Sequence, residues 1–363
     1  MCHSGRVAAS QRQRSGCVER AAGGVCKMSV QGEVDTIVIG AGIQGSYTAY
    51  HLSKHSKTLL IDQFALPHAR GSSHGQTRII RNVYAKTYYT AMMTECYQLW
   101  KQLEAETNTE LFRPTGLLVL GKEGNPSFQT MKSTLIDNNV PMTTLTSADV
   151  SKRFPAVQLP RGVSALLDKT AGILYADRAL KNVQDLFRRF GGIIRDGEKV
   201  VQIQPSDLVT VTTTAGIYRA KRLVITAGPW TNKLLNLVGL QLPLEVCYHS
   251  GSRADPDERD VSFQRPSQDV ELLRDFLSRE FPGLDPNPAV VESCMYTNTP
   301  DYDFILDHHP DHKNIIVGAG FSGHGFKLAP VVGKVLSELC LGEKPSYDLS
   351  PFKICRFHLK SVL

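Results

Sequence analysis

The residues whose spacing most clearly indicates chemistry are Gly40, Gly42 and Gly45, which form a Gly-x-Gly-x-x-Gly sequence. A β-branched apolar run precedes them and a helical pattern follows, so the sequence predicts a buried strand, a tight turn and a helix. The N-terminus of such a helix binds a pyrophosphate, with Gly40 in the turn, Gly42 beside the diphosphate and Gly45 against the strand. Asp62 ends a second apolar strand twenty residues after Gly42, where an acid accepts hydrogen bonds from an adenosine ribose.

A second strand, glycine turn and helix lie near the other end of the chain and contain Gly318, Gly320 and Gly323. Two such units predict one nucleotide-binding domain assembled from N-terminal and C-terminal segments, with substrate-binding segments between them. A flavin needs the second unit because its ring lies far from the adenosine and requires its own backbone donors, which helix N-termini supply. The pattern therefore favours FAD, and a nicotinamide-linked dehydrogenase is the disfavoured alternative.

The pattern between the glycine units predicts the elements that position them. Segment 67–81 is polar at first and then compatible with a helix, which would place His74, Arg78 and Arg81 on one face. The predicted strands are 34–39, 58–61, 116–120, 163–167, 199–204, 208–213, 217–226 and one that opens the unit 314–327. The predicted helices are 88–105, 176–190, 268–280 and one that ends near residue 340.

Composition narrows the class of protein. The 363 residues exceed one ordinary domain, and 42% hydrophobic with 21% charged residues is typical of a soluble globular protein. No run of about 18 apolar residues predicts a membrane span. The net charge of +6 comes without clustered basic and aromatic residues, so we expect no nucleic-acid binding. The eight cysteines have no metal-like spacing, which indicates buried thiols in a reduced intracellular protein and no metal site.

The sequences at the two ends of the chain resemble signals that target proteins to organelles. Residues 1–32 lack an apolar core and predict a disordered leader, although an Arg-rich, acid-poor leader also fits a mitochondrial transit peptide. Met28 would then be an alternative start. The C-terminal Ser361-Val362-Leu363 matches the peroxisomal Ser-Lys-Leu signal at its first and third positions, and an arbitrary tail is the alternative.

Taken together, five stretches of the chain resemble the monomeric sarcosine oxidase family, and most closely its animal peroxisomal members. The resemblance covers about residues 33–357 and implies an α/β fold, with a glutathione-reductase-type FAD-binding domain and a truncated antiparallel-sheet substrate domain. The five stretches are 39–45, 71–81, 225–232, 292–301 and 318–327. The implied FAD-binding domain comprises 33–112, 172–235 and 294–363, and the substrate domain comprises 113–171 and 236–293.

The resemblance also implies an activity. The family oxidises the C–N bond of secondary amino acids, with FAD as hydride acceptor and O2 as the oxidant that yields hydrogen peroxide, and the imine then hydrolyses. The implied substrate is a small secondary amino acid, and the sequence does not distinguish L-pipecolate, sarcosine and L-proline. A monomer in the peroxisome is implied, with an import receptor as partner and a place in lysine degradation; the cytoplasm and the mitochondrion are the alternatives.

Site residues follow from the same motifs. Cys294 matches the cysteine that carries the flavin through a thioether, although a single cysteine in an apolar context, taken alone, is usually a buried core thiol. Arg81 and Lys327 match the pair that binds the substrate carboxylate; without the motif, either would be a surface charge. Arginine offers a fork to two oxygens, and lysine adds a point charge.

Three further side chains have implied roles near the flavin. Arg78 matches the cation beside the flavin ring, where positive charge favours the anionic reduced form. His74 matches the histidine near the attachment side, and would otherwise be a solvated or capping histidine. His249 follows Tyr248 in an element that resembles the family's active-site strand, and is the weaker candidate for substrate contact.

The chain departs from the family pattern in two places. A segment that contributes several substrate-domain strands is skipped between Pro243 and Tyr248. Glu245 stands where the family has a lysine credited with activating oxygen, and a carboxylate there is expected to repel the substrate carboxylate. The alternative to an active oxidase is therefore an impaired or non-catalytic flavin-binding variant.

Overall fold

The structure is a computed structural model that describes residues 30–160, 162–249, 251–258, 268–292 and 294–357. The predicted leader up to residue 29, which includes Met28, and the C-terminal Ser361-Val362-Leu363 lie outside the described residues. Within the described part of the chain, no helix combines the length and the apolar composition needed to span a bilayer.

The described residues form sixteen strands and eight α-helices. The strands are β1 (Val30–Ile39), β2 (Thr58–Ile61), β3 (Thr77–Ile80), β4 (Phe112–Pro114), β5 (Leu117–Lys122), β6 (Met142–Leu145), β7 (Val163–Asp168), β8 (Gly172–Tyr175), β9 (Ile193–Arg195), β10 (Val200–Gln204), β11 (Val209–Thr213), β12 (Ile217–Ile225), β13 (Glu245–Tyr248), β14 (Met295–Asn298), β15 (Ile305–His308) and β16 (Ile315–Ala319). The helices are α1 (Ile43–Ser53), α2 (Thr87–Thr107), α3 (Pro126–Asp137), α4 (Ser147–Arg153), α5 (Ala176–Arg189), α6 (Thr231–Leu235), α7 (Gln268–Glu280) and α8 (Ala329–Leu341).

The largest sheet has eight strands and joins the two ends of the chain. Its parallel strands run in the order β16, β12, β1, β2, β9. The first half of β12 also pairs antiparallel with β11, and β15 pairs antiparallel with β16. Because β1 and β16 are parallel to β12, their carboxyl ends meet at one edge of the sheet, and both glycine turns begin there.

Both faces of this sheet are covered, which explains why its central strands are continuously apolar. Helices α1, α2, α5 and α8 cover one face, where Trp100 and Phe187 are fully buried. Residues of β10, β11 and the stretch 234–244 cover the other face, which includes Val211 and Leu242. The packing of α1 on α8 fixes the N-terminal glycine turn next to the C-terminal one.

Three smaller sheets are antiparallel. Strands β5, β7 and β6 form one, with helices α3 and α4 against it, and β3, β8 and β4 form another. Strands β13 and β14 form the third, which has two strands. The outer edge of β13 is bonded by residues that fold back, because Tyr248 N–H donates to the Ser252 carbonyl and Ala254 N–H donates to the Val246 carbonyl.

Two local predictions are wrong. Strand β1 begins at Val30, so residues 30–32 belong to the sheet and not to a disordered leader; pairing with β12 orders them, and the Gln31 amide donates to the Ala215 carbonyl. The segment before Arg81 is not a helix. Its β-branched residues Thr77, Ile79 and Ile80 form a strand because β8 supplies a pairing partner about a hundred residues later in the chain.

Candidate active site

A cavity of about 1470 Å³ opens at the edge of the main sheet where β1 and β16 end. It extends from the first glycine turn, with Gly40 and Gly42, to a region lined by Cys294, Tyr296 and Lys327. Ligand pockets usually reach about 1,000 Å³ at most. The cavity is therefore large enough for a dinucleotide cofactor together with a small substrate.

The first glycine turn excludes side chains. Gly40 has a φ of +102°, and a Cβ there would lie 2.5 Å from the Thr226 carbonyl oxygen. A Cβ at Gly45 would lie 1.9 Å from the Gly40 carbonyl oxygen, so α1 packs directly on the turn. Gly42 faces the cavity, and the next residue, Ile43, donates its N–H to Ser73 Oγ at 3.0 Å. The predicted strand, turn and helix therefore form.

Asp62 lines the same end of the cavity, but its carboxylate is already engaged. Its Oδ2 accepts the Ala41 N–H at 2.8 Å and its Oδ1 accepts the Phe64 N–H at 2.9 Å. His68 Nε2 lies 3.3 Å from Oδ1. The residue therefore stabilises both turns that border the cavity, in addition to the ribose contact that the sequence predicts for it.

The second glycine unit contributes one of its three predicted glycines to the cavity wall. Gly323 lines the cavity with a φ of +78°, and a Cβ there would lie 2.9 Å from the Tyr296 ring. Gly320 has a φ of +64° and packs against Thr299, outside the lining. Gly318 lies within β16 and permits close contact with Leu336. Gly318 and Gly320 therefore allow the turn to pack closely against its neighbours, without lining the cavity.

Gln44 connects the two glycine units. Its Nε2 donates to the Gly325 carbonyl at 2.9 Å, while its Oε1 is buried without a hydrogen-bond partner and the residue lines the cavity. A buried acceptor without a donor is costly unless a ligand supplies one. Together with the glycine turn that no Cβ fits, this orphan oxygen is what a cradle for FAD requires, so the residues present fit that cofactor.

Two cations line the other end of the cavity. Lys327 is 7% exposed, and its Nζ donates to the His324 carbonyl at 3.2 Å. Its own carbonyl accepts the Trp100 Nε1–H at 2.9 Å, which fixes the backbone. The Arg81 guanidinium lies 4.7 Å from the centroid of the Tyr84 ring. Among the described residues, neither cation has a carboxylate within ion-pair distance.

The electrostatics of this pair favour an anion. Burial, and after it the positive charge of Arg81, lowers the pKa of Lys327 from its ordinary value of 10.5 to about 7. An anion bound between Lys327 and Arg81 would oppose both effects and raise this pKa again. The two side chains therefore form a site whose charges are completed by a ligand.

The remaining predicted residues of this end gather around the segment before β3. Arg78 lines the cavity and donates to the carbonyls of Ser72 and His74 at 2.9 and 2.6 Å. His74 Nδ1 lies 2.5 Å from the Gly71 carbonyl oxygen, and the residue lines the cavity. Although the predicted helix is absent, His74, Arg78 and Arg81 all reach the cavity wall.

Cys294 lies immediately before β14, with its Sγ 3.9 Å from the carbonyl oxygens of Ser72 and Met295. Of the five described cysteines, it is the one that lines the cavity. Tyr296 lines the cavity as well and was not predicted. Its signal is the alternation of a strand, which places residues two apart on the same face.

His249 and Glu245 lie outside the cavity lining. The His249 ring is 5.1 Å from the ring of Tyr296, which does line it. The Glu245 carboxylate accepts from Arg253 Nε at 2.8 Å and is half exposed. Its charge is paired with Arg253 at the surface, and the repulsion of a substrate carboxylate by Glu245 stays a prediction.

Another contact that the sequence did not indicate holds residues 251–258 against the cavity. Trp230 Nε1 donates to Asp257 Oδ1 at 2.7 Å, and Lys233 Nζ donates to Asp257 Oδ2 at 2.6 Å. All three residues line the cavity. The partners are about 25 positions apart and on different elements, so no local pattern predicts the cluster.

The model of the FAD dependent oxidoreductase family matches residues 35–261 and 247–339. A peroxisomal sarcosine oxidase of Homo sapiens is 50% identical, over 89% of this chain and 96% of the human protein. A monomeric sarcosine oxidase of Arthrobacter sp. (strain TE1826) is 32% identical, over 92% of this chain and 99% of that protein. The chain belongs to the sarcosine oxidase family of FAD-dependent amine oxidases. The predicted family and the FAD cofactor are thus confirmed.

The alignment with the human sarcosine oxidase also contains a gap. It spans 374 positions, whereas 89% of this 363-residue chain is about 323 residues, so about 50 positions have no counterpart here. The two parts of the family match meet at 247–261, next to the segment predicted to be skipped between Pro243 and Tyr248. The matched relatives are named sarcosine oxidases, so this similarity does not favour the alternative of a non-catalytic variant.

A solved structure supports the fold. NikD, described as an unusual amino acid oxidase essential for nikkomycin biosynthesis, superposes with a TM-score of 0.79 at 22% identity, over 92% of this chain and 99% of that chain. The α/β fold class is confirmed, with a parallel-sheet FAD-binding domain and antiparallel sheets in the remainder.

Proposed function

We propose that this member of the sarcosine oxidase family oxidises small secondary amino acids, sarcosine or L-pipecolate, with O2 to the imine and hydrogen peroxide. The observation that carries the proposal is the pair Arg81 and Lys327, two cations without a carboxylate partner in the described part of the chain, at the cavity that holds the dinucleotide turn. Both substrates carry a carboxylate one carbon from a secondary amine. The name of the human relative, a sarcosine oxidase, supports the same substrate class.

The side chains divide the work of binding. The Arg81 fork takes two carboxylate oxygens, and the Lys327 ammonium adds a charge-assisted hydrogen bond. Because its carboxylate is bound by both cations, the substrate is held in one orientation, and its negative charge balances their positive charges. When bound, FAD supplies the acceptor for the hydride that leaves the substrate carbon and passes the electrons to O2. Arg78 places a further positive charge at the cavity wall, and the weaker candidate His249 acts through its contact with Tyr296.

Cys294 is the proposed point of covalent attachment, through a thioether from its Sγ to the flavin. It is supported by the position of Cys294 at the cavity beside Arg78 and Tyr296. His74, on the same wall, is proposed to lie near the attachment side. The glycines at 40, 42, 45, 318, 320 and 323, together with Asp62, are proposed to form the rest of the cofactor site.

The cellular setting and the domain division also remain proposals. We propose a peroxisomal monomer recognised by an import receptor and active in lysine degradation, supported by the similarity to peroxisomal sarcosine oxidases. We propose that residues 33–112, 172–235 and 294–363 bind FAD, and that 113–171 and 236–293 bind substrate.

The test of the activity is the flavin spectrum of the purified holoenzyme without O2, before and after sarcosine or L-pipecolate is added. Bleaching of the visible band, followed on aeration by recovery and one peroxide per substrate, is the expected result. A spectrum that neither amino acid changes would overturn the proposed substrate class.

Acid precipitation of the same preparation tests the covalent attachment of the flavin. The flavin should stay with the wild-type pellet and be released from Cys294→Ser. Retention of the flavin in the variant would refute the thioether.

A further inference from the structure

The paired cations raise a physical problem that the cavity wall alone does not solve. Arg81 and Lys327 repel one another, and burial already lowers the pKa of Lys327 to about 7. A neutral Lys327 would lose the charge that the carboxylate site depends on. Before an anion binds, none of the described residues places a carboxylate beside Lys327, so support for its charged form has to come from another kind of neighbouring group.

Tyr84 is placed to do this. The centroid of its ring lies 4.7 Å from Arg81 Cζ and 5.8 Å from Lys327 Nζ, so the ring is within reach of both cations. Attraction between a cation and an aromatic ring operates within about 6 Å and strengthens when the pair is desolvated. Tyr84 is 7% exposed and does not line the cavity, so it lies behind the cations and does not touch the substrate.

The ring of Tyr84 is held in a neutral aromatic cluster. Its hydroxyl lies 3.4 Å from His324 Nδ1, and His324 Nε2 lies 3.3 Å from the Tyr302 carbonyl oxygen. Burial, and then the charge of Lys327, lowers the pKa of His324 to about 3, so the ring is neutral. Nε2 therefore donates to the carbonyl, and Nδ1 accepts from Tyr84. The Tyr89 ring packs beside Tyr84 in a tilted arrangement, with the ring centroids 5.2 Å apart.

The other charged or titratable groups that face Lys327 do not provide this support. Arg78 and Arg81, from β3 and the residue after it, are positive and lower its pKa. Cys96, from α2, is the one neighbour whose ionised form would raise it, but burial raises the pKa of Cys96 itself, so the thiol stays protonated. Burial likewise raises the pKa of Tyr84, so the ring acts as a neutral quadrupole.

We propose that Tyr84 is a positioning residue for the substrate carboxylate, whose aromatic ring attracts both Arg81 and Lys327 and keeps Lys327 cationic. The proposal rests on the proposed function, because it concerns the same carboxylate site. It predicts that the aromatic face of Tyr84 matters and that its hydroxyl matters little.

The experiment titrates holoenzyme with acetate, a carboxylate without an amine, from pH 5.5 to 9, and follows the flavin absorption. Wild type should bind acetate more weakly as the pH rises through the pKa of Lys327. Tyr84→Phe should stay within about twofold of wild type. Tyr84→Leu should raise the Kd roughly 3- to 30-fold and move the inflection to lower pH, since cation–π contacts contribute in this range. Tyr88→Leu is the matched control, because its ring also packs on Tyr89, and it should leave both quantities unchanged.

A second variant keeps the test valid if Tyr84→Leu does not fold. Replacing Tyr84 by pentafluorophenylalanine retains the shape of the ring and reverses its quadrupole, so the same loss and the same pH shift are expected. An unchanged Kd and inflection in this variant, or in Tyr84→Leu, would overturn the role of the ring. If substrate bleaches the flavin of wild type but acetate does not bind, the carboxylate site is refuted, and this proposal with it. If substrate does not bleach the flavin, the proposed function is contradicted, and the acetate titration still tests the role of Tyr84.

Discussion

The two ends of the cavity are built in opposite ways. At the dinucleotide end, Gly40 and Gly45 act through their backbone, and the Asp62 carboxylate accepts two amide N–H groups. At the carboxylate end, Arg81 and Lys327 lie together without a carboxylate partner among the described residues. At the first end the protein satisfies its own carboxylate, and Gln44 Oε1 is the buried acceptor left for a ligand. At the second end two like charges repel one another, and a bound anion relieves the repulsion. A substitution that impairs function should therefore raise stability at the carboxylate end and lower it at the dinucleotide end.

The largest effect is expected from Arg81→Gln. The kcat/KM for sarcosine should fall about 100-fold, because a charged hydrogen-bonding partner of the carboxylate is lost. Stability should rise, because the repulsion on Lys327 is removed. The unfolded lysine keeps its proton up to its ordinary pKa of 10.5 and the folded one to about 7. Stability therefore increases with pH between these values, and the penalty is complete below pH 7.

The measurement is steady-state kinetics together with thermal unfolding at pH 6 and pH 9. The gain in Tm of Arg81→Gln should be larger at pH 6. Arg113→Gln is the matched control, since Arg113 is exposed on β4 and away from the cavity lining; it should change neither quantity. A loss of stability in Arg81→Gln would show that structural contacts hold this arginine, and the contrast between the two ends would fail.

The next effect, at the dinucleotide end, is expected from Gly45→Ala. The added Cβ would lie 1.9 Å from the Gly40 carbonyl oxygen and 2.6 Å from Thr226 Oγ1, so α1 must move away from the turn. Overpacking of this kind costs about 1–3 kcal/mol. Stability and flavin content should fall together here, in contrast to Arg81→Gln.

Thermal unfolding and the ratio of flavin to protein check this result. Gly32→Ala, in β1 before the turn, is the control, because nothing lies within 4 Å of its Cβ position. It should stay within about 0.5 kcal/mol of wild type. Full flavin content in Gly45→Ala would mean that the turn tolerates displacement and is not the rigid end of the cavity.

The same contrast explains which parts of the molecule the sequence predicts. The dinucleotide end depends on local spacing, so β1, its glycine turn and Asp62 were all predictable from a short stretch. Strand β12 was predicted at 217–226 and is Ile217–Ile225. Helix α7 was predicted at 268–280 and is Gln268–Glu280. In β12 the apolar pattern and the tertiary packing agree, whereas Leu272 and Leu273 of α7 are exposed, so its helical pattern alone indicated this helix.

The carboxylate end depends on contacts between distant segments, which no local pattern reports. Strand β3 has four residues and forms only because β8 pairs with it. Tyr84 and Lys327 are 243 positions apart in the sequence, yet their side chains lie within cation–π distance. The family motifs named Arg81 and Lys327, but neither periodicity nor composition indicated the ring behind them.

The smallest effect is expected from Glu245→Gln, which tests the boundary of the carboxylate end. Glu245 and Arg253 form an exposed ion pair, with side chains 51% and 87% accessible. Such pairs contribute about 0–1 kcal/mol, so the Tm should hardly change. Because the carboxylate is outside the cavity lining, the Kd for acetate should stay within about twofold, by the weak coupling of screened surface charges.

The rate of flavin reoxidation by O2 tests whether residue 245 lies at the surface, as in this structure, or activates oxygen, as the resemblance implies for a lysine there. In Glu245→Lys, the new ammonium would face Arg253 at the surface, so the rate at which O2 restores the flavin band after anaerobic reduction should match wild type. A rate at least tenfold higher, or acetate binding at least tenfold tighter in Glu245→Gln, would place this side chain in the cavity. The carboxylate end would then include β13, and the electrostatic contrast between the two ends would have to count a carboxylate beside Arg81 and Lys327.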